Sequence, residues 1–103
     1  MFVSFYITVK DTKEARSISE RLVKERLIAC ANIVPRIESI YRWDNKIQRH
    51  REAAIIGKAT NANKRKIIAL VKELHSDSVP CIVFWPIADG NKDYLEWVKR
   101  ETK

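Results

Sequence analysis

The chain has 103 residues, of which 46% are hydrophobic and 32% charged, and its formal net charge is +7. That length supports one core, so residues 1–103 are expected to form a single folded domain, and no apolar run approaches the roughly 20 residues needed to span a bilayer. Two cysteines, Cys30 and Cys81, are too few for the disulfide framework of a small secreted domain, and no signal-peptide pattern leads the chain, so the expected compartment is the cytoplasm.

Residues 2–9 alternate with a period of two, Val3, Phe5, Ile7 and Val9 against Phe2, Ser4, Tyr6 and Thr8, which predicts a strand. Asp11 followed by Glu14 starts a first helix running to about Arg26, with Ala15, Ile18, Leu22 and Val23 on one face. Its charges alternate in sign (Lys13, Glu14, Arg16, Glu20, Arg21, Lys24, Glu25), as on a solvated surface, so nucleic acid is not the expected partner. A β-prone stretch from Leu27 is interrupted at Pro35 and resumes through Ile37, Ser39, Tyr41 and Trp43, which predicts a strand with a bulge. Asp44-Asn45 turns the chain into a return strand over residues 47–60. Asn61 or Asn63 caps a second helix with a buried stripe of Ile67, Leu70, Val71 and Leu74, and His75 lies at its C-terminal end. Residues 79–87 predict a fourth strand, and Gly90-Asn91 opens a last helix carrying Tyr94, Leu95 and Val98.

The succession β-α-β-β-α-β with a terminal helix is that of a ferredoxin-like α+β sandwich, two helices on one face of an antiparallel sheet. Two features predict that other copies cover the open face. The strands are apolar on both sides, and each arm of the long central hairpin, about 14 residues or roughly 45 Å, outreaches helices of about 21 Å. A monomer with the ribbon folded back on itself is the alternative.

Glu25-Arg26-Leu27-Ile28-Ala29-Cys30-Ala31-Asn32-Ile33, then Ser39-Ile40-Tyr41-Arg42-Trp43 and Lys58-Ala59-Thr60, and finally His75, Val79-Pro80, Gly90-Asn91 and Tyr94-Leu95-Glu96-Trp97, resemble the CutA divalent-cation tolerance family in order along essentially the whole chain. The resemblance implies a homotrimer built like the PII signalling proteins, non-enzymatic, binding copper or other divalent ions weakly and acting in the response to metal ions. It departs from the family where a carboxylate usually follows the second proline and Cys81 stands here. The copper-ligand positions of some bacterial members fall on Ile7 and Leu74, leaving His75.

Cys30, Cys81, His75 and His50 are the only thiol and imidazole groups, a set that suits Cu(I) or Zn(II). Their spacing makes no local site, and Cys30 and Cys81 fall on opposite sheet edges. The candidate metal ligands are therefore His75, Cys30 and Cys81 across a subunit boundary, with small buried hydrophobe as the simpler role for each thiol. Tyr41, Trp43, Lys58, Tyr94 and Trp97 are candidates for a ligand cleft or subunit interface. No nucleophile, acid-base pair or phosphate-binding loop is readable, so no enzyme is expected and no cofactor is required. A PII-like regulatory trimer taking a small anionic ligand is the second functional reading. An RNA-binding module is the third, and it lacks the aromatic signature that such a sheet would carry.

Overall fold

The computed structural model describes residues 1–103. The leading alternation becomes β1 (Phe2–Val9), with Val3, Phe5, Ile7 and Val9 buried. Asp11 Oδ1 caps α1 (Thr12–Lys24) by accepting the Glu14 N–H at 2.8 Å, and Glu14 Oε1 accepts the Lys10 N–H at 3.0 Å, a capping box displaced by one residue. Ala15, Ile18, Ser19 and Leu22 form the buried stripe. Val23, expected on that face, is 43% exposed. Val23 lies within the helix, about 100° round from Leu22 and so at the margin of the stripe. The helix ends just after it, where Arg26 N–H bonds Val23 O and Leu27 N–H bonds Leu22 O while Arg26 adopts φ 60°. A left-handed non-glycine residue costs about 1 kcal/mol. Here its guanidinium offsets the cost by donating to Arg100 O at 2.8 Å and Glu101 O at 3.1 Å, at the negative end of α3 (Lys92–Glu101).

The hairpin consists of β2 (Cys30–Trp43) and β3 (Lys46–Thr60), joined through Asp44 (φ 52°) and Asn45 (φ 60°). Two consecutive positive φ values are those of a type I′ turn, which matches the twist of the strands it joins. The register shifts between Val34 and Ile37, as expected of Pro35, which has no N–H to give the ladder. After β3, Asn61–Asn63 forms a short 3-10 turn into α2 (Lys64–Leu74). Asn63 does not cap α2. It is 1% exposed and its Nδ2 donates to Leu27 O at 3.0 Å, tying the α2 start to the loop before β2. The fourth strand, β4 (Ile82–Pro86), is shorter than expected: Val79 is 69% exposed, and ahead of the strand only Thr8 N–H reaches across, to Cys81 O at 3.4 Å.

The sheet order is β2-β3-β1-β4, antiparallel throughout, the expected ferredoxin-like arrangement. Core residues of β1 and β3 pack with Ala15, Ile18 and Leu22 of α1 and Ile67, Leu70 and Val71 of α2 on one face. α3 lies on the other, where Tyr94 meets Cys30. Only Ala53–Thr60 of β3 pairs with β1, so residues 46–52 run on beside β2 alone for roughly 20 Å. The chain is 45 Å long against 25 and 23 Å across, and Ile40, Trp43 and Ile47 on the overhang are 62%, 51% and 58% exposed. No helix is long and apolar enough to cross a membrane.

One contact in the core admits no side chain. Gly57 sits opposite Phe5, and a Cβ there would overlap the Phe5 ring and the Cys30 carbonyl oxygen. Gly57→Ala is expected to lose about 2–3 kcal/mol in urea denaturation, the cost of overpacking a close-packed site. Gly90→Ala, whose methyl would rest an ordinary 3.4 Å from Leu95 Cδ1, is expected to stay within about 0.5 kcal/mol.

Candidate functional site

Antiparallel pairing aligns Cys30, Lys58, Ser4 and Trp85 across the sheet. Directly opposed residues point to the same side, so this row lies on the face away from α1 and α2. Ser4 Oγ donates to Gly57 O at 3.1 Å, and Lys58 Nζ donates to Asn32 Oδ1 at 3.5 Å. α3 crosses one end of the row. Its start is fixed by Asn91 Oδ1, which accepts the Asp93 N–H at 2.9 Å and the Tyr94 N–H at 3.4 Å. Tyr94 Oη then lies 3.3 Å from Cys30 Sγ, and Trp97 lies beside Tyr94 with ring centroids 5.6 Å apart. Burial first, and the adjacent Cys30 second, push the Tyr94 hydroxyl up to about 12. The phenol therefore keeps its proton across the ordinary pH range.

Tyr41 and Trp43 go elsewhere. They share the face of the ribbon that also presents Ser39, His50 and Glu52, and Tyr41 stacks on His50 at 5.8 Å. The ribbon forms one wall of a groove of about 580 Å³, with Ser39, Tyr41, Trp43 and Glu52 from this face and Ile40 from between them. Asp77, Ser78, Val79 and Cys81 form the other wall, and Thr8 at the end of β1 completes the lining. The five expected cleft residues thus divide between two places, Lys58, Tyr94 and Trp97 under α3 and Tyr41 and Trp43 in the groove.

The loop carrying the second wall is held at its root. His75 is 8% exposed, and its Nε2 lies 2.7 Å from Thr8 O while its Nδ1 accepts the Asp77 N–H at 2.9 Å. A carbonyl oxygen only accepts, so Nε2 carries the proton. Glu14 accepts the Ser76 N–H at 2.9 Å and the Ser76 hydroxyl at 3.1 Å. Burial alone would raise the Glu14 carboxyl. The bonds from Lys10 and Ser76, with His75 nearby, outweigh it and leave the group below the usual carboxylate value.

With both ring nitrogens engaged, His75 has no lone pair left for an ion, so the expected metal-ligand role does not fit this arrangement. No three His, Cys, Asp or Glu side chains come together in a group that could hold one. Cys30 and Cys81 are both free thiols, Cys30 at the start of the β2 edge and Cys81 just ahead of the β4 edge. Glu52 and Asp77 were not singled out by the sequence, and Glu14 was read there only as part of the helix start, three residues after Asp11.

The sequence profile described as CutA1 divalent ion tolerance protein matches residues 3–101. The chain is 45% identical to the divalent-cation tolerance protein CutA of Thermus thermophilus, over 93% of each chain. It is 36% identical to the chloroplastic protein CutA of Arabidopsis thaliana, over 95% of this chain and 54% of that one. A solved structure of the Thermus thermophilus divalent cation tolerance protein superposes with a TM-score of 0.98 at 43% identity, covering 100% of both chains. These likenesses do not favour the alternative of a small-anion regulator.

The thiol–phenol contact is open to spectroscopic titration. In the tyrosinate absorbance difference between the unaltered protein and Tyr94→Phe, the missing step is expected near about 12. The sign of the linkage follows from the raised value. The stabilisation is full below about 10, the ordinary phenol value, and is lost as pH rises through the folded one, so Tyr94→Phe should flatten the alkaline fall in thermal midpoint over that window.

Proposed function

The chain belongs to the CutA1 divalent ion tolerance family, and from that membership we propose that it works as a homotrimer in the response to divalent ions, copper among them. In this reading it binds ions weakly and catalyses no reaction. The observation that carries it is the family match over residues 3–101, which extends from the first strand to the end of the last helix.

Exposed apolar side chains support the assembly. Ile40 and Ile47 on the ribbon are 62% and 58% exposed, and Val83 and Trp85 on the open sheet face are 49% and 46% exposed. At about 25 cal/mol per Å² of apolar surface, covering them with another copy supplies a driving force that a lone subunit forgoes. The thiols suit soft ions such as Cu(I) and Zn(II), and a reducing compartment such as the cytoplasm keeps both free. Because Cys30 and Cys81 belong to opposite edges of one sheet and His75 is spent, an ion would take its donors from more than one subunit. Such a site is assembled rather than closed, which accords with weak binding.

Sedimentation velocity is expected to give a particle of about 36 kDa from chains of 12.0 kDa. A 12 kDa species at micromolar concentration overturns the assembly. Calorimetric titration with zinc is expected to weaken in Cys30→Ser and in Cys81→Ser. In His75→Ala it should be unchanged, while that variant loses about 1–3 kcal/mol of stability from the unpaired Thr8 and Asp77 backbone groups. Zinc affinity lost in His75→Ala but kept in both serine variants would reverse the assignment.

A further inference from the structure

We propose that Asp89-Gly90 is a site of spontaneous modification, at which the main chain re-forms through the Asp89 side chain to give a β-linked (isoaspartyl) residue and loosens the start of α3. The Gly90 N–H bonds Asp89 Oδ1 at 2.8 Å and no backbone carbonyl. A nitrogen held there lies beside the carboxyl carbon that it would attack, and such proximity removes a large part of a barrier. No other Asp or Asn offers a side-chain oxygen to the N–H of the very next residue. Asp11 Oδ1 takes Glu14, and Asn91 Oδ1 takes Asp93 and Tyr94.

The surroundings leave the ring closure unobstructed. The chain has only 2 glycines, and Gly90 makes its single Asp-Gly or Asn-Gly pair. With no Cβ at Gly90 the amide is uncrowded, and a glycine backbone reaches rotations that other residues do not. Residues 87–91 belong to no helix or strand, and Asp89 and Gly90 are exposed, so water reaches them. The Asp89 carboxylate is not held by a cation, since the single ion pair of the chain joins Arg21 to Glu25. Both reacting groups are neighbours in one loop, so the reaction asks for no cavity that a second copy must leave open.

The step balances without a co-reactant other than water. The carboxyl reacts in its protonated form: the Gly90 nitrogen bonds to Asp89 Cγ, its proton and the carboxyl hydroxyl leave as water, and a cyclic imide closes. Water then adds back. Addition at Cγ breaks the new C–N bond and restores aspartate. Addition at the Asp89 main-chain carbonyl breaks the original peptide bond instead, and leaves the chain running through the β-carbon with a free α-carboxylate. Mass is unchanged, but the main chain gains one carbon between two fixed points. Ile87 N–H is bonded to Phe2 O at 3.0 Å on one side, and Asn91 caps α3 on the other. Arg26 holds the far end of α3, so the displacement falls on its first turn, where Tyr94 Oη lies 3.3 Å from Cys30 Sγ. None of this depends on the metal-ion reading.

The test is incubation of the full, assembled protein for weeks at neutral pH and physiological temperature. The tryptic peptide of residues 73–92, which carries both Asp77 and Asp89, is then mapped by electron-transfer fragmentation, which separates β-linked from ordinary aspartate at equal mass. β-Linked aspartate is expected at Asp89 in at least about tenfold excess over Asp77, whose side chain takes no neighbouring N–H. Gly90→Ala should lower it by about tenfold or more, by crowding the amide. Asp89→Asn should raise it, since a side-chain amide is a better electrophile than a carboxylate. In the β-linked protein the Tyr94 ionisation, pushed up to about 12 before incubation, should fall toward the ordinary phenol value of about 10. Equal accumulation at Asp77 and Asp89 overturns the proposal. So does a yield that Gly90→Ala leaves unaltered, or a Tyr94 step that stays in place once Asp89 is β-linked. Absence of β-linked aspartate from the unaltered protein overturns it too, so the decision does not wait on the folding of any variant.

Discussion

The structure is organised by a mismatch between neighbouring strands. β3 has 15 residues and β1 has 8, so the excess of β3 can satisfy its backbone only through β2. The bulge falls where this excess begins. Val34 opposes Ala54 and Ile37 opposes Glu52, so the extra residues of β2 straddle Ala53, the residue at which β1 stops pairing. A bulge bends and twists its strand. Placed there, it turns the ribbon out of the plane of the sheet and brings Tyr41 and Trp43 toward the loop after α2, creating a groove that a flat continuation of the sheet would not have. The type I′ turn at Asp44-Asn45 preserves the same twist to the end of the ribbon.

The opposite wall depends on a second set of contacts, which joins the beginning of the fold to its later half. Glu14, set by the N-cap of α1, takes the Ser76 N–H and hydroxyl, and His75 at the end of α2 returns to Thr8 at the end of β1. Their effect is positional: the loop from Asp77 to Cys81 starts from a fixed point although its own residues are mostly exposed. Arg26 does the same for the far end of the chain, anchoring the carbonyl end of α3 and accepting the Lys103 N–H at 2.9 Å.

The elements and their order were legible because each is dictated locally: alternation in residues 2–9, the Asp11–Glu14 cap, Pro35 in the middle of a strand, two turn residues at positions 44 and 45. Strand order followed from the succession of elements. What could not be read were side chains whose roles depend on residues distant in sequence. Val23 has nearly the periodicity of a core residue, but the stripe that packs is centred on Ala15, Ile18, Ser19 and Leu22 and leaves it at the margin. Asn63 has the chemistry of a cap and spends it on Leu27 O. His75 has the chemistry of a ligand and spends both nitrogens on backbone atoms, one of them 67 positions away. The grouping of Tyr41, Trp43, Lys58, Tyr94 and Trp97 as one cleft treated the hairpin as an extension of the sheet, whereas the bulge separates its outer half from the row beneath α3.

The two faces of the sheet explain why function in this chain is not concentrated in a motif. The face toward α1 and α2 is closed so tightly that Gly57 has no room for a methyl group, and it carries no ionisable side chain of β1 or β3 between Val3 and Val9 or between Ala53 and Gly57. Every reactive or charged group of the sheet, Cys30, Lys58, Glu52 and Cys81 among them, is thereby placed on the open face, at the edges, or on the ribbon. Those places are also where apolar surface remains uncovered. A fold that sends its polar chemistry and its unsatisfied hydrophobic surface to the same side couples the two: whatever covers the apolar residues also sets the dielectric around the charged ones and decides which cations can reach them. In the reading proposed above, ion response and assembly share one origin, the place where β3 outruns β1.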